Sequence, residues 1–285
     1  MRLHLPQKTL LKKFAHWVAL TPIQTVMRSF TQLRARLLFP LLIALGGCVG
    51  PPKHSPSSTD LLELRTYHCS TQEGQLATLQ FVRDAYQPAL HRQGIRPVGI
   101  FTPIEDGVLD VYLLCPYSSP DQLLGRNILL AEDAEFLASG DTFAPGGAPL
   151  PYTRIESRLL RAFDGLPHVV LPPSHSEQRL LELRIYESRN EDLARRKVEM
   201  FNTGEIQLMQ DVELGPVFFG ESLGAADMPN LVYMLSAESE EAHKEHWQGF
   251  LAHPDWARMK DLPRYADTVS KITSILLRPA EGSDI

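Results

Sequence analysis

Leu62-Glu63-Leu64-Arg65-Thr66-Tyr67 recurs as Leu181-Glu182-Leu183-Arg184-Ile185-Tyr186, 119 residues further along, with five of the six positions identical. A repeat of that length is a whole small domain, not a solenoid unit. The register continues downstream. Pro97-Val98 matches Pro216-Val217 at the same shift, Val111-Tyr112 matches Val232-Tyr233 at 121, and Leu159-Leu160-Arg161 matches Leu276-Leu277-Arg278 at 117. The drift falls in loops, one of them the Gly/Pro-rich stretch Ala144 to Pro151, which the second copy lacks.

Each copy reads as strand, helix, strand, strand, helix, strand. Leu62, Leu64 and Thr66 alternate with Glu63, Arg65 and Tyr67 at the period of a strand. Leu76, Leu79, Val82, Tyr86 and Leu90 form one helical stripe, which Gly94 ends. Strands are expected over 95–101, 109–114 and 154–161. Ser118 or Ser119 caps the second helix, with Pro120 tolerated in its first turn. Asn190 and Ser239 play the capping role in the second copy, each followed by acidic residues that suit the positive end of a helix. The fold class is therefore α+β, two tandem ferredoxin-like βαββαβ domains at 61–163 and 180–279, joined by a Pro-rich linker at 164–179 and followed by a tail at 280–285.

Residues 1–47 hold seven Lys/Arg and no Asp/Glu. Arg34 and Arg36 precede the apolar run Leu37 to Leu45, which is too short to span a bilayer, and Gly46-Gly47 precede Cys48. Leu45-Gly46-Gly47-Cys48 resembles a bacterial lipobox, with Cys48 as the acylated residue and 48–60 as a flexible tether. The leader has ordinary length if translation starts at Met27. The expected location is the bacterial cell envelope, anchored by lipid at Cys48; a mitochondrial transit peptide is the rival reading. Removing 1–47 leaves 21 basic and 34 acidic residues, a net charge of −13. Such a surface disfavours nucleic acid as a partner.

Cys69 and Cys115 end the first and third strands of copy one; in a ferredoxin-like sheet those strands are expected to be adjacent and parallel, which puts both thiols at one edge, where they could pair in an oxidising compartment. The rival reading is two small apolar strand residues.

The sequence resembles the NIPSNAP family over about 61–279. The signs are Glu-Leu-Arg-x-Tyr opening each copy, Leu-Leu-Arg closing each, and Trp247 with His253-Pro254-Asp255-Trp256 in the second. Copy one is degenerate: Phe136 lies near the position of Trp256, and nothing there matches Trp247. The resemblance implies a pseudo-dimeric α/β barrel, with two sheets facing each other and helices outside; pairing of sheets between chains is the competing arrangement. Relatives on that fold include cofactor-independent monooxygenases and haem-degrading enzymes, while the family's own biochemical role is unsettled.

If Leu62 and Leu64 face the helices, then Glu63, Arg65, Tyr67, Glu182, Arg184 and Tyr186 line a polar barrel interior. Either each Glu neutralises its Arg as a brace, or the interior holds a small anionic or carbonyl ligand with Arg as clamp and Tyr as donor. Trp247 and Trp256 are cavity-wall candidates, although they read better with Phe250 and Leu251 as packing. His243 and His246 look like members of a solvated, charged helix face. His243-Lys244-Glu245-His246 does not fit a zinc motif, so no metal and no cofactor is expected; a haem ligand, for which His68 would be a further candidate, is disfavoured. Gly140, Gly146 and Gly147 lack the spacing of a phosphate loop, and no Gly-x-Ser-x-Gly elbow occurs. The leading expectation is a non-catalytic binding or scaffolding protein. A cofactor-poor oxidoreductase using the barrel cavity, or a homo-oligomeric assembly module, are the alternatives.

Overall fold

A computed structural model of the chain describes residues 59–143, 149–173 and 176–285. The leader, Met27, Cys48 and nearly all of the tether lie outside the described residues. Among the described residues no helix is long and apolar enough to cross a membrane.

The chain forms β1 (Leu61–His68), a helical stretch of α1 (Gln72–Phe81), a π turn (Val82–Tyr86) and α2 (Gln87–Arg92), then β2 (Gly99–Pro103), β3 (Val111–Tyr117), α3 (Pro120–Glu132), α4 (Ala134–Phe143) and β4 (Arg154–Ala162). The second half repeats this order. It has β5 (Leu180–Glu187), α5 (Glu191–Met200), a π turn (Phe201–Glu205), α6 (Ile206–Asp211), β6 (Pro216–Gly224), β7 (Asn230–Ala237), α7 (Glu240–Ala252), α8 (Pro254–Lys260) and β8 (Lys271–Pro279).

The caps follow local chemistry. Ser119, Asn190 and Ser239 each accept a hydrogen bond from the backbone N–H three residues on, at 3.2, 2.9 and 3.2 Å. Gly94 takes φ 74°, the left-handed conformation that ends α2 cheaply. The two π turns fall 119 residues apart, at the same place in each half. In the first half the inward residues are Thr78, Val82, Tyr86 and Leu90, spaced by four. Leu76, expected on that stripe, is 60% exposed.

All eight strands close into one antiparallel barrel in the order β1-β3-β2-β8-β5-β7-β6-β4. The halves meet at two seams. Phe101, Thr102 and Pro103 pair with Pro279, Arg278 and Leu277, and Leu160, Arg161 and Ala162 pair with Ser222, Glu221 and Gly220. The two sheets thus pair within one chain.

The interior of the barrel is aliphatic and aromatic. Leu62, Leu64, Phe101, Leu114 and Leu160 of the first half pack against Leu181, Leu183, Phe218, Met234 and Leu277 of the second. This overturns the expected polar interior. Glu63, Arg65, Tyr67, Glu182, Arg184 and Tyr186 point outward to the helices. Alternation defines two faces but does not say which one turns inward. Eight strands converging on a narrow axis leave no solvent and no helix side chains to pair with buried charge, whereas the helix layer supplies both.

Two further expectations fail on register. β1 and β3 run antiparallel, with Glu63 opposite Cys115 and Tyr67 opposite Val111. Cys69, just past the other end of β1, is therefore remote from Cys115, and both are free thiols. The Val-Tyr pair is also not equivalent between halves. Tyr112 lies opposite Thr66 and joins the barrel core, whereas Tyr233 lies opposite Arg184 and joins the helix-side core. A slip of one residue exchanges the faces of a strand.

Candidate functional site

The outward Glu-x-Arg-x-Tyr face of each half lies beneath its own helices, and each glutamate is the hub of a hydrogen-bond cluster. In the first half, Oε1 of Glu63 accepts from Arg65 Nη2 at 2.9 Å and from Ser157 Oγ at 2.7 Å. Oε2 accepts from Tyr117 OH at 2.9 Å and from Arg126 Nη1 on α3. Arg65 also lies over the Tyr86 ring, 5.2 Å from its centroid.

The second half uses the same plan with other residues. Oε1 of Glu182 accepts from Arg184 Nη1 at 2.6 Å and from Ser274 Oγ at 2.5 Å. Oε2 accepts from Trp247 Nε1 at 2.7 Å and lies 2.9 Å from His243 Nε2, both on α7. The Arg184 guanidinium stacks 4.7 Å from the Trp247 ring centroid and 5.5 Å from that of Tyr186. In both clusters one carboxylate oxygen is held by strand residues. The other is held at least in part from the helix, so the carboxylate ties helix to sheet.

These contacts set the charge state. Burial pushes the Glu182 carboxyl up, but the His243 hydrogen bond, the Arg184 charge and the bonds from Ser274 and Trp247 outweigh it and hold the group down at about 2. Burial likewise opposes ionisation of Glu63, and Arg65, Arg126 and Ser157 overcome it, so its carboxyl is also lowered. Both are carboxylates at neutral pH. A carboxylate has about four lone-pair sites, and here protein groups occupy them.

Among the described residues, a second buried pair occurs only in the second half. Lys197 Nζ donates to Glu205 Oε2 at 2.6 Å, and the side chains are 5% and 2% exposed. The ammonium lies 4.6 Å from the Phe201 ring centroid and 5.7 Å from those of Tyr186 and Trp256. The positions 119 earlier are Thr78 and Tyr86, which carry no such charges. The π turn at 201–205 contains Glu205, and π turns often mark positions where a side chain must be re-aimed. Burial raises the Glu205 carboxyl, and Lys197 only partly offsets that.

The family model of NIPSNAP matches residues 181–284. This stretch is similar to a NIPSNAP domain. The matched stretch contains the Glu182 cluster and the Lys197–Glu205 pair, and the first half lies outside the match. No curated protein matches the sequence. Among solved structures, a candidate monooxygenase from Lactobacillus acidophilus NCFM is 9% identical, with 78% of this chain and 94% of that chain covered at a TM-score of 0.53. A candidate monooxygenase from Fusobacterium nucleatum is 8% identical, with 78% and 93% covered at 0.51. An uncharacterised NIPSNAP-like domain protein from Burkholderia xenovorans is 18% identical over 38% of this chain and 91% of that one, at 0.35. The first two likenesses are of fold alone.

Of the residues expected from sequence, Trp247 joins the Glu182 cluster directly. Trp256 packs on Phe250 at 4.7 Å between centroids, while Leu251, expected to pack, is 61% exposed. His243 was expected on a solvated face and instead faces Glu182 with 13% of its side chain exposed. His68 lies 3.0 Å from Asp110 Oδ1 at the end of β1. Among the described residues no three His, Cys, Asp or Glu side chains converge as a metal site. Sequence reasoning missed Ser157 and Ser274, although they share the pattern Ile-x-Ser-x-Leu-Leu-Arg at 155–161 and 272–278. It also missed Tyr117, Arg126, Lys197 and Glu205, for which a single sequence carries no signal.

Trp247→Phe keeps the ring and removes the N–H donor to Glu182. It is expected to cost about 2 kcal/mol, as for a hydrogen bond to a charged acceptor. Urea unfolding of the two proteins measures it, and unchanged stability would refute the hub role of Glu182.

Proposed function

We infer that this chain is a non-catalytic binding and scaffolding protein, built from two tandem ferredoxin-like units and held to the bacterial envelope by lipid at Cys48. The supporting observation is the saturation of both hub carboxylates. Glu63 and Glu182 accept from strand and helix donors on both oxygens, which leaves neither free to act as a base or to meet a substrate. Glu63, Arg65, Glu182 and Arg184 are then braces between sheet and helices. The basic leader, the short apolar run and the Gly-Gly-Cys sequence support the anchor, and a Cys48→Ser protein that still partitions with membranes would remove that part of the reading.

The oxidoreductase alternative draws on the two candidate monooxygenases of similar fold. It places its chemistry in the barrel, whose core is packed with apolar side chains and carries the Tyr112 phenol.

Arg184→Leu tests the brace. It removes one donor to Glu182 and the stack on Trp247, so we expect a loss of about 2 kcal/mol in urea unfolding with the other donors to Glu182 retained. A clamp for a ligand would behave differently: stability would hold while binding or turnover disappeared, and that result would overturn the proposal.

A further inference from the structure

Helix α3 carries an apolar row on its outer surface. Leu124 and Ile128 lie one turn apart and are 74% and 64% exposed, Leu129 beside them is 46% exposed, and Ala131 extends the row by a further turn. α4 follows after Asp133 and exposes Ala134, Leu137 and Ala138. Single exposed leucines are ordinary, whereas a helical row of them marks a contact surface.

The fold does not require this row. Counted from the capping serines Ser119 and Ser239, the positions of Leu124, Ile128 and Leu129 are held in the second half by Lys244, Gln248 and Gly249. Lys244 pairs with Glu240 along the helix surface at 2.7 Å. The inward residues do equivalent work in both halves: Leu130 and Phe250 are buried, Arg126 holds Glu63, and His243 and Trp247 hold Glu182. Leucine and isoleucine are thus placed outward in one half only, at positions where Lys and Gln serve the fold equally well.

What lies opposite the row is indicated by where the chain enters the barrel and by charge. Leu61 at the head of β1 lies opposite Tyr117, two residues before the cap of α3. The chain therefore enters at the N-terminal end of α3. Cys48 precedes Thr59 by 11 residues, a reach of at most about 40 Å, whereas the 13 residues of α3 span about 20 Å. A lipid on Cys48 keeps the whole of α3 within reach of the bilayer. Contact is then an intramolecular event, so an apolar face too small to bind a membrane alone stays on it.

The ionised groups at the ends of the row are acidic. Asp121 precedes it and Glu132 follows it, while Arg126 is spent on Glu63 and Arg92 on Asp133 and Glu135. Anionic headgroups are disfavoured on that account. So is a second copy of the chain, because two such rows packed about a twofold axis bring acidic ends together.

We propose that the Leu124–Ile128–Leu129 face of α3 rests on the bilayer that holds the chain's lipid, against zwitterionic headgroups and the acyl carbons just beneath them. This goes beyond the binding reading above and rests on its anchor at Cys48.

The full chain, purified with its lipid and inserted in phosphatidylcholine vesicles, tests this. Ile128→Trp and Gln248→Trp each place an indole at an exposed helix position, the second serving as the control in the other half. Phosphatidylcholine brominated in its acyl chains is expected to quench the fluorescence gained in Ile128→Trp at least about threefold more than that gained in Gln248→Trp. Adding Leu124→Glu to Ile128→Trp should bring quenching down to the control, and replacing part of the lipid by phosphatidylglycerol should lower it. Equal quenching at the two positions would overturn the proposal, as would quenching indifferent to Leu124→Glu. Emission of Ile128→Trp that follows protein concentration instead of lipid would assign the face to a second copy and overturn it too. Flotation with the vesicles separates the two readings. A chain that floats without selective quenching keeps the anchor and refutes the docked face; a chain that does not float refutes both. The brace reading is untouched in either case, because Arg184→Leu decides that one.

Discussion

Glu182→Ala is expected to destabilise the protein by about 4 kcal/mol, the order seen when one member of a buried charge cluster is removed. The residue is 3% exposed, and its loss strands Arg184, Ser274, His243 and Trp247 around an empty acceptor position. α7 would also lose its tie to the sheet. The effect has a pH signature. The carboxyl sits at about 2 in the folded protein against an ordinary value of 4.5, so its contribution is present above about 4.5 and is lost as pH falls through 2. That difference corresponds to about 3 kcal/mol. Glu182→Gln should therefore flatten the acid limb of the stability profile. Urea unfolding between pH 2 and pH 7 provides the check; a variant whose acid limb matches that of the parent would show that Glu182 is not the hub.

Lys197→Met is the second large effect. It leaves Glu205 buried without a counter-ion, which is expected to cost about 3–5 kcal/mol near neutral pH. The sign of its pH dependence is opposite to that of Glu182. Burial already raises the Glu205 carboxyl in the parent, and without the ammonium it rises further. A raised carboxyl contributes stability in its protonated form below the unfolded value of 4.5, and this is lost as pH rises through the folded value. The destabilisation should shrink in mild acid. Replacing both partners, Lys197→Met with Glu205→Leu, should restore most of the stability, because two apolar groups in that aromatic surround need no pairing. A double variant as unstable as the single one would mean that the pair does more than neutralise itself.

Much of the architecture was legible in the chain. The Glu-Leu-Arg-x-Tyr repeat marked β1 and β5; Asn190, Ser239 and one of Ser118 and Ser119 marked helix starts, and the hydrogen bonds select Ser119. These features are local: a period of two, a side chain reaching its own backbone, a helix ended at a glycine. The hub residues were half legible. Glu63, Arg65, Glu182 and Arg184 stood out as candidates, and the brace between Glu and Arg two apart was among the readings. The face they occupy was misread. Leu62 and Leu64 are as consistent with packing on helices as with packing on a barrel axis, so alternation left the choice open.

The remaining partners come from distant segments. Tyr117 and Arg126 reach Glu63 from 54 and 63 residues away, and His243 and Trp247 reach Glu182 from 61 and 65. Nothing in the spacing of His243 and His246 separates a buried imidazole from a solvated one, because a helix position three residues on differs only by the surface it meets. The cysteines show the same limit. Cys69 and Cys115 each end a strand, and only the antiparallel direction of β1 and β3 puts them at opposite ends.

The sequence by itself determined the order of strands and helices, their caps, and the presence of a charged and an apolar face on β1 and β5, since each depends on neighbours a few residues apart. The tertiary structure decided that the apolar faces of both halves turn toward one shared axis, and that the charged faces meet their own helices. Closure of eight strands removes water from the centre, and burial there favours leucine over an ion pair. The carboxylates then find their donors in the outer layer, from residues that the chain places tens of positions away.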